Sequence, residues 1–216
     1  FVQMAELMKG QAADLYQQLP DEVKAFGRTR DVVMPSLHDT RGSQGNQPRI
    51  IFWCGRSLEP WAPPTLLTTG IGGSETAVIE IARRFAADGW RVDVYNEADH
   101  LEGIYDRVGY WDSKRLEPNA QCYVFVSWRR PEAHHPPVQA RTRVLWCHDL
   151  NYGPEARAHF SEWDHVLGVS AWHASMLRRY YGVEADFVPN GIDLSRFDPA
   201  PIKIPFRCVY ASSPDR

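Results

Sequence analysis

The sequence predicts an α/β fold, a parallel sheet with helices on both faces. Three observations carry this. Short apolar runs suited to strands recur along the chain, at residues 49–54, 89–95, 122–128, 141–146 and 165–170. They are continuous rather than alternating, as in strands buried on both faces. Helical or long polar stretches separate them, which parallel neighbours require. The first run is followed by Thr68-Thr69-Gly70-Ile71-Gly72-Gly73-Ser74-Glu75 and then by Val78, Ile81, Ala82 and Phe85 at helical spacing. Strand, glycine-rich loop, helix, strand is the opening of a nucleotide-type α/β domain.

Each element follows from its residues. Residues 1–26 predict two short amphipathic helices, with Leu7, Met8, Leu15, Leu19, Val23 and Phe26 as apolar positions and Pro20-Asp21 as the break. Residues 39–48 are polar and glycine-containing, a linker. The strand at 49–54 is followed by Glu59-Pro60-Trp61-Ala62-Pro63-Pro64, whose prolines predict a long surface loop beside the site. The next helix begins near Ser74, a candidate N-cap, with Glu75 in the first turn where acidic residues are favoured. Free N–H groups and the helix dipole make that junction an anion site. The spacing is neither G-x-G-x-x-G nor a P-loop, and a tight turn alone accounts for two adjacent glycines equally well.

After the strand at 89–95, Tyr105, Tyr110 and Trp111 lie among charged residues, an irregular aromatic region. The strand at 122–128 ends at Arg129-Arg130-Pro131, and that at 141–146 at Cys147-His148-Asp149. The strand at 165–170 leads into a helix over 171–181, with Ser170 as N-cap, Ala174, Leu177 and Tyr181 on one face, Arg178-Arg179 in the last turn and Gly182 as the stop. A final strand at 185–189 turns at Asn190-Gly191.

Composition narrows the function. The 216 residues are 44% hydrophobic and carry eight Trp, enough for a sizeable core. A formal net charge of −3 gives no support to nucleic-acid binding or to a polybasic membrane surface. Cys54, Cys122, Cys147 and Cys208 form no C-x-x-C pair and read as reduced thiols. No apolar run approaches the roughly 18 residues that would span a bilayer. The expected location is cytoplasmic, with peripheral membrane association left open. The chain starts at Phe1 rather than Met, and reads as part of something longer.

Four motifs in order, Gly72-Gly73-Ser74-Glu75, His148-Asp149, Val169-Ser170 and Val188-Pro189-Asn190-Gly191-Ile192-Asp193 with Phe197 following, resemble the N-terminal half of retaining GT-B glycosyltransferases of family 4. The resemblance covers about residues 49 to 200 and implies a Rossmann-like acceptor-side domain over 46–200, after an N-terminal helical extension and linker at 1–45. Residues 201–216 resemble the first strand and phosphate loop of the donor domain, truncated before the family's paired glutamates. The implied activity is retaining, hexosyltransferase-like transfer from a nucleotide-sugar, which is a substrate rather than a cofactor, with the 216-residue fragment inactive alone. The implied partners are that donor, an acceptor that is a sugar, glycan, lipid or small molecule, and the missing C-terminal domain; a homo-oligomer is left open.

Glycosyl transfer needs stabilisation of an oxocarbenium-like centre and of a departing diphosphate. By resemblance, His148 lies beside the donor sugar, contacting a hydroxyl or lending a carbonyl near the anomeric carbon, and is paired in the catalytic set with Asp149. Gly72, Gly73, Ser74, Arg129, Asn190 and Gly191 are expected to bind donor or acceptor, and Arg216 matches the basic residue that neutralises the diphosphate. Strand-end geometry places His148 near the Gly72-Gly73 loop, facing an open cleft. No metal is expected: His134-His135 reads as an exposed loop, and Cys147 and His148 are adjacent rather than spaced as zinc ligands. Two other functions stay open, a non-catalytic sugar- or partner-binding module and a nicotinamide-dependent enzyme with Glu97 toward a ribose.

Overall fold

The computed structural model describes residues 47–57, 59–68, 70–132 and 137–191. The readings of residues 1–45 and 201–216, of His134-His135, of Cys208 and of Arg216 lie outside the described residues.

The protein is α/β. Among the described residues, eight strands form one sheet in the order β3-β4-β2-β1-β5-β6-β7-β8. They are β1 (Arg49–Trp53), β2 (Arg91–Asn96), β3 (Gly103–Tyr105), β4 (Val108–Asp112), β5 (Gln121–Trp128), β6 (Gln139–Trp146), β7 (His165–Gly168) and β8 (Asp186–Phe187). Every neighbouring pair is parallel except the antiparallel β3 and β4. The two α-helices of the described residues, α1 (Gly73–Ala87) and α2 (Ala171–Tyr181), pack on opposite faces, an arrangement compatible with a Rossmann-like fold.

The alternation along each strand sets the two cores. Ile50 and Phe52 of β1 align with Val92 and Val94 of β2 on the face where Ala77, Val78, Ile81 and Ala82 of α1 pack. Ile51 aligns with Phe125 of β5 on the other face, with Leu145, Val166, Ala174 and Leu177. Helix α2 forms as its sequence predicts: Ser170 caps it by accepting from the His173 N–H at 3.1 Å, and Gly182 stops it at φ +69°. Among the described residues, no helix is long and apolar enough to cross a membrane.

Three expectations are corrected. The region around Tyr105, Tyr110 and Trp111 is not irregular: it is the β3–β4 hairpin, turned by Asp106 and Arg107 at φ 51° and 66°. Both left-handed residues suit the twist of a two-residue hairpin turn, and the hairpin makes the sheet mixed. The proline-rich segment is not a surface loop. Trp61 and Ala62 are buried, the Trp61 ring lies edge-on to Tyr110 and Trp128, and Pro63–Leu66 winds into a 3₁₀ turn. Proline breaks the regular structure, while the indole's large apolar surface pulls the segment inward. Finally, α1 is capped by Gly72, not Ser74.

On the α2 face of β2 sits one buried carboxylate. Asp93 is 5% exposed and accepts from Arg49 Nε at 2.8 Å and from Trp111 Nε1 at 3.0 Å, with Arg91 Nε at 3.3 Å. The Arg49 guanidinium also reaches the Tyr95 hydroxyl at 3.3 Å.

Candidate functional site at the carboxyl edge of the sheet

Strand β1 is flanked by β2 on one side and β5 on the other, so the order of connection reverses between β1 and β5. Open α/β sheets bind ligands in the crevice beyond the strand ends at such a reversal. The segment after β1 leads through the glycine loop into α1; Arg129 follows β5, and His148-Asp149 follows β6.

Arg129 holds these segments together. Its Nε and Nη2 donate to Asp149 Oδ2 and Oδ1 at 2.7 and 2.6 Å, a bidentate pair, and Nη1 stands 3.9 Å from Glu75 Oε1. The guanidinium carbon lies 5.0 Å from the centre of the Trp128 ring. The Asp149 hydrogen bond is the main reason that the Arg129 pKa is raised. Arg129 also has φ +64°, uncommon for a residue with a side chain. That conformation is held by its N–H donating to the Trp146 carbonyl at 3.0 Å, and by Ser127 Oγ donating to the Arg130 carbonyl at 2.7 Å. Backbone strain held so firmly is concentrated at functional sites.

Glu75 thus belongs to the cluster, although its sequence reading stopped at favourable helix charge. The signal was its place in the first turn after the glycine loop, on the helix end that faces the strand termini. Ser74 does not cap the helix; its Oγ donates to Glu75 Oε2 at 2.9 Å and steadies that carboxylate. Gly72 and Gly73 are exposed, and Gly72 has φ −62°, open to any residue. The left-handed position of the loop is Gly70, at φ +73°. What restricts Gly72 is space, because a Cβ there would collide with the Glu75 carboxylate, whereas one at Gly73 meets nothing. Gly72→Ala is therefore expected to displace Glu75 and cost about 1 kcal/mol, a lost hydrogen bond. Gly73→Ala should be neutral or stabilising by about 0.5–1 kcal/mol. Urea unfolding of the two variants checks the contrast.

His148 is wedged between two indoles, its ring centre 4.6 Å from that of Trp146 and 6.0 Å from that of Trp128. The residue is half-buried, and its Nε2 is enclosed with no hydrogen-bond partner among the described residues. The open orientation expected for it is corrected accordingly: the strand delivers it to the rim, but aromatic packing draws the ring inward. Burial, and then the nearby Arg129 charge, lower its pKa to about 4, so the ring is neutral at pH 7.

The turn after β6 is held from several sides. The Tyr152 hydroxyl accepts from the backbone N–H groups of His148 and Asp149, both at 3.0 Å, and is hydrogen-bonded to the Cys147 thiol. Burial pushes that thiol up to about 12 and the Tyr152 phenol up as well. His173, buried on α2, has its Nε2 2.9 Å from the Asp149 carbonyl oxygen. Sequence reasoning missed both residues. For His173 the signal was its spacing of four from Leu177, which puts a polar ring on the apolar face of α2.

Asn190 and Gly191 are exposed beyond β8. Arg130 turns aside, its Nη2 donating to the Arg56 carbonyl at 2.8 Å. Cys54, Cys122 and Cys147 are free thiols. Among the described residues, no group of three or more His, Cys, Asp and Glu side chains is placed to hold a metal. No protein-family model matches the chain, and no curated protein is significantly similar to it in sequence.

Proposed function

We propose that this chain is the acceptor-side part of a retaining GT-B glycosyltransferase resembling family 4, acting on a nucleotide-sugar donor. The observation that carries the reading is the junction of Glu75, Arg129 and His148-Asp149 where the connections of β1 and β5 diverge. Beside such a site, an imidazole kept neutral brings no charge, which suits a polar uncharged ligand such as a sugar hydroxyl. The Arg129–Asp149 pair spends its charges on each other and fixes the rim. The anion-binding potential of the α1 N-terminus, with Gly72 and Gly73 exposed, suits a diphosphate or an acidic acceptor group. The division at about residues 46 and 200, and a place for Arg216 beside the diphosphate, belong to the same proposal.

The test is a panel of nucleoside diphosphate sugars given to the longest form of the protein that contains this chain, followed by release of the nucleoside diphosphate. Turnover of one donor, lost in the His148→Ala variant, is the expected result. Failure to bind or turn over any donor would reject the proposal. One observation favours the second reading, a sugar-binding module without turnover: His148 Nε2 is enclosed rather than presented. Donor or acceptor binding without nucleotide release would select it.

A further inference from the structure

We infer that Tyr152 and His173 are positioning residues, which clamp the His148–Asp149 peptide at the end of β6 by its two N–H groups and its carbonyl oxygen. The consequence for sugar transfer rests on the function proposed above; the clamp itself does not.

Three points on one short turn are held by two side chains. The Tyr152 hydroxyl takes both amide hydrogens, at 3.0 Å each. Tyr152 is fixed in turn, since its own N–H donates to the Tyr181 hydroxyl at 2.8 Å and its ring lies edge-on to Phe160 and Tyr181. His173 holds the carbonyl, and its tautomer follows from its partners. The Val169 N–H donates to Nδ1 at 3.2 Å, so Nδ1 carries no proton; Nε2–H is left to donate to the Asp149 oxygen at 2.9 Å. One neutral ring thus ties the end of β7 to the turn after β6, while its own backbone N–H is held by the Ser170 cap. With the Asp149 carboxylate fixed by Arg129, the peptide that carries His148 has little freedom. Preorganisation of this kind keeps a contacting side chain within the narrow tolerance a site needs.

The two ring nitrogens of His173 can be separated by substitution. Asparagine places an acceptor near Nδ1 and drops the donor; glutamine places a donor near Nε2. The experiment uses the full chain and needs no sugar. It follows the His148 ring by NMR titration and the His148 and Asp149 amides by hydrogen exchange. The charges of Arg129, Asp149 and His173 act on His148, so its midpoint reports on its seat among them. Either substitution removes the His173 charge that lowers that midpoint, so the contrast between them is read: His173→Asn is expected to raise it further than His173→Gln does, toward the ordinary histidine value of about 6.5. Tyr152→Phe is expected to speed exchange of the two amides roughly tenfold, the factor that corresponds to one lost hydrogen bond, with the Val126 amide unchanged as the core reference. Equal effects of Asn and Gln, or amides as protected in Tyr152→Phe as before, would overturn the inference. Circular dichroism identifies any variant that fails to fold, and the remaining variants then decide. A protein that passes these tests yet transfers no sugar keeps the clamp and loses only the proposed function.

Discussion

Asp93→Ala should lower the unfolding free energy by about 3–5 kcal/mol, the range for removing one partner of a buried ion pair. The carboxylate lies within the sheet, with Arg49, Arg91 and the Trp111 indole converging on it. Its loss strands the Arg49 charge, whose side chain is 18% exposed, and leaves the Trp111 N–H without its acceptor. Asp93→Asn should fall between the two, because the amide keeps an acceptor for one partner but not the charge for the other. Guanidinium denaturation of both variants is the measurement. An alanine variant within about 0.5 kcal/mol of the unaltered protein, the range of ordinary surface changes, would mean that the network contributes nothing.

His148→Ala carries the larger functional expectation. If the ring contacts the transition state, kcat should fall roughly 100-fold or more with little change in melting, as for other preorganised polar groups. If it only packs against Trp128 and Trp146, stability should fall with kcat near normal. The pH dependence adds a check that needs no substrate. The folded ring titrates near pH 4 and the unfolded one near 6.5. Between those values the unfolded chain binds a proton that the folded ring refuses, so stability falls as pH drops through the window and is retained above it. At about 1.36 kcal/mol per unit this amounts to about 3 kcal/mol. His173, also lowered by burial, acts in the same direction. Unfolding curves for His148→Ala at pH 7 and pH 4.5 should differ less than those of the unaltered protein; an equal difference would remove His148 from the account.

Most of the sheet was legible because its central strands are buried on both faces and announce themselves as unbroken apolar runs. The hairpin was not. Ile104 is 70% exposed and the turn is Asp106-Arg107, so an edge element looks like a polar loop when read one residue at a time. Trp61 was misread for the opposite reason, as local proline chemistry masked a burial that only Tyr110 and Trp128 explain. At the site, strand-end position correctly brought Arg129, His148 and Asp149 to one edge of the sheet. The pairing of Arg129 with Asp149 was beyond reach, because two residues at the ends of adjacent strands share no local pattern. Tyr152 and His173 were hidden in the same way: each is defined by the backbone atoms it meets.

The central position of β1 has a consequence for how the protein is made. Ile51 leaves the ribosome well before its partner Phe125, which emerges only after β2, β3 and β4. Until then β1 and β2 can pair with each other but leave an apolar strand edge uncovered, and pairing between distant segments is the slow part of folding. A nascent chain halted before β5 therefore displays the surface that chaperones bind and that aggregation exploits. The same strand that organises the finished sheet makes the half-synthesised chain its most vulnerable form.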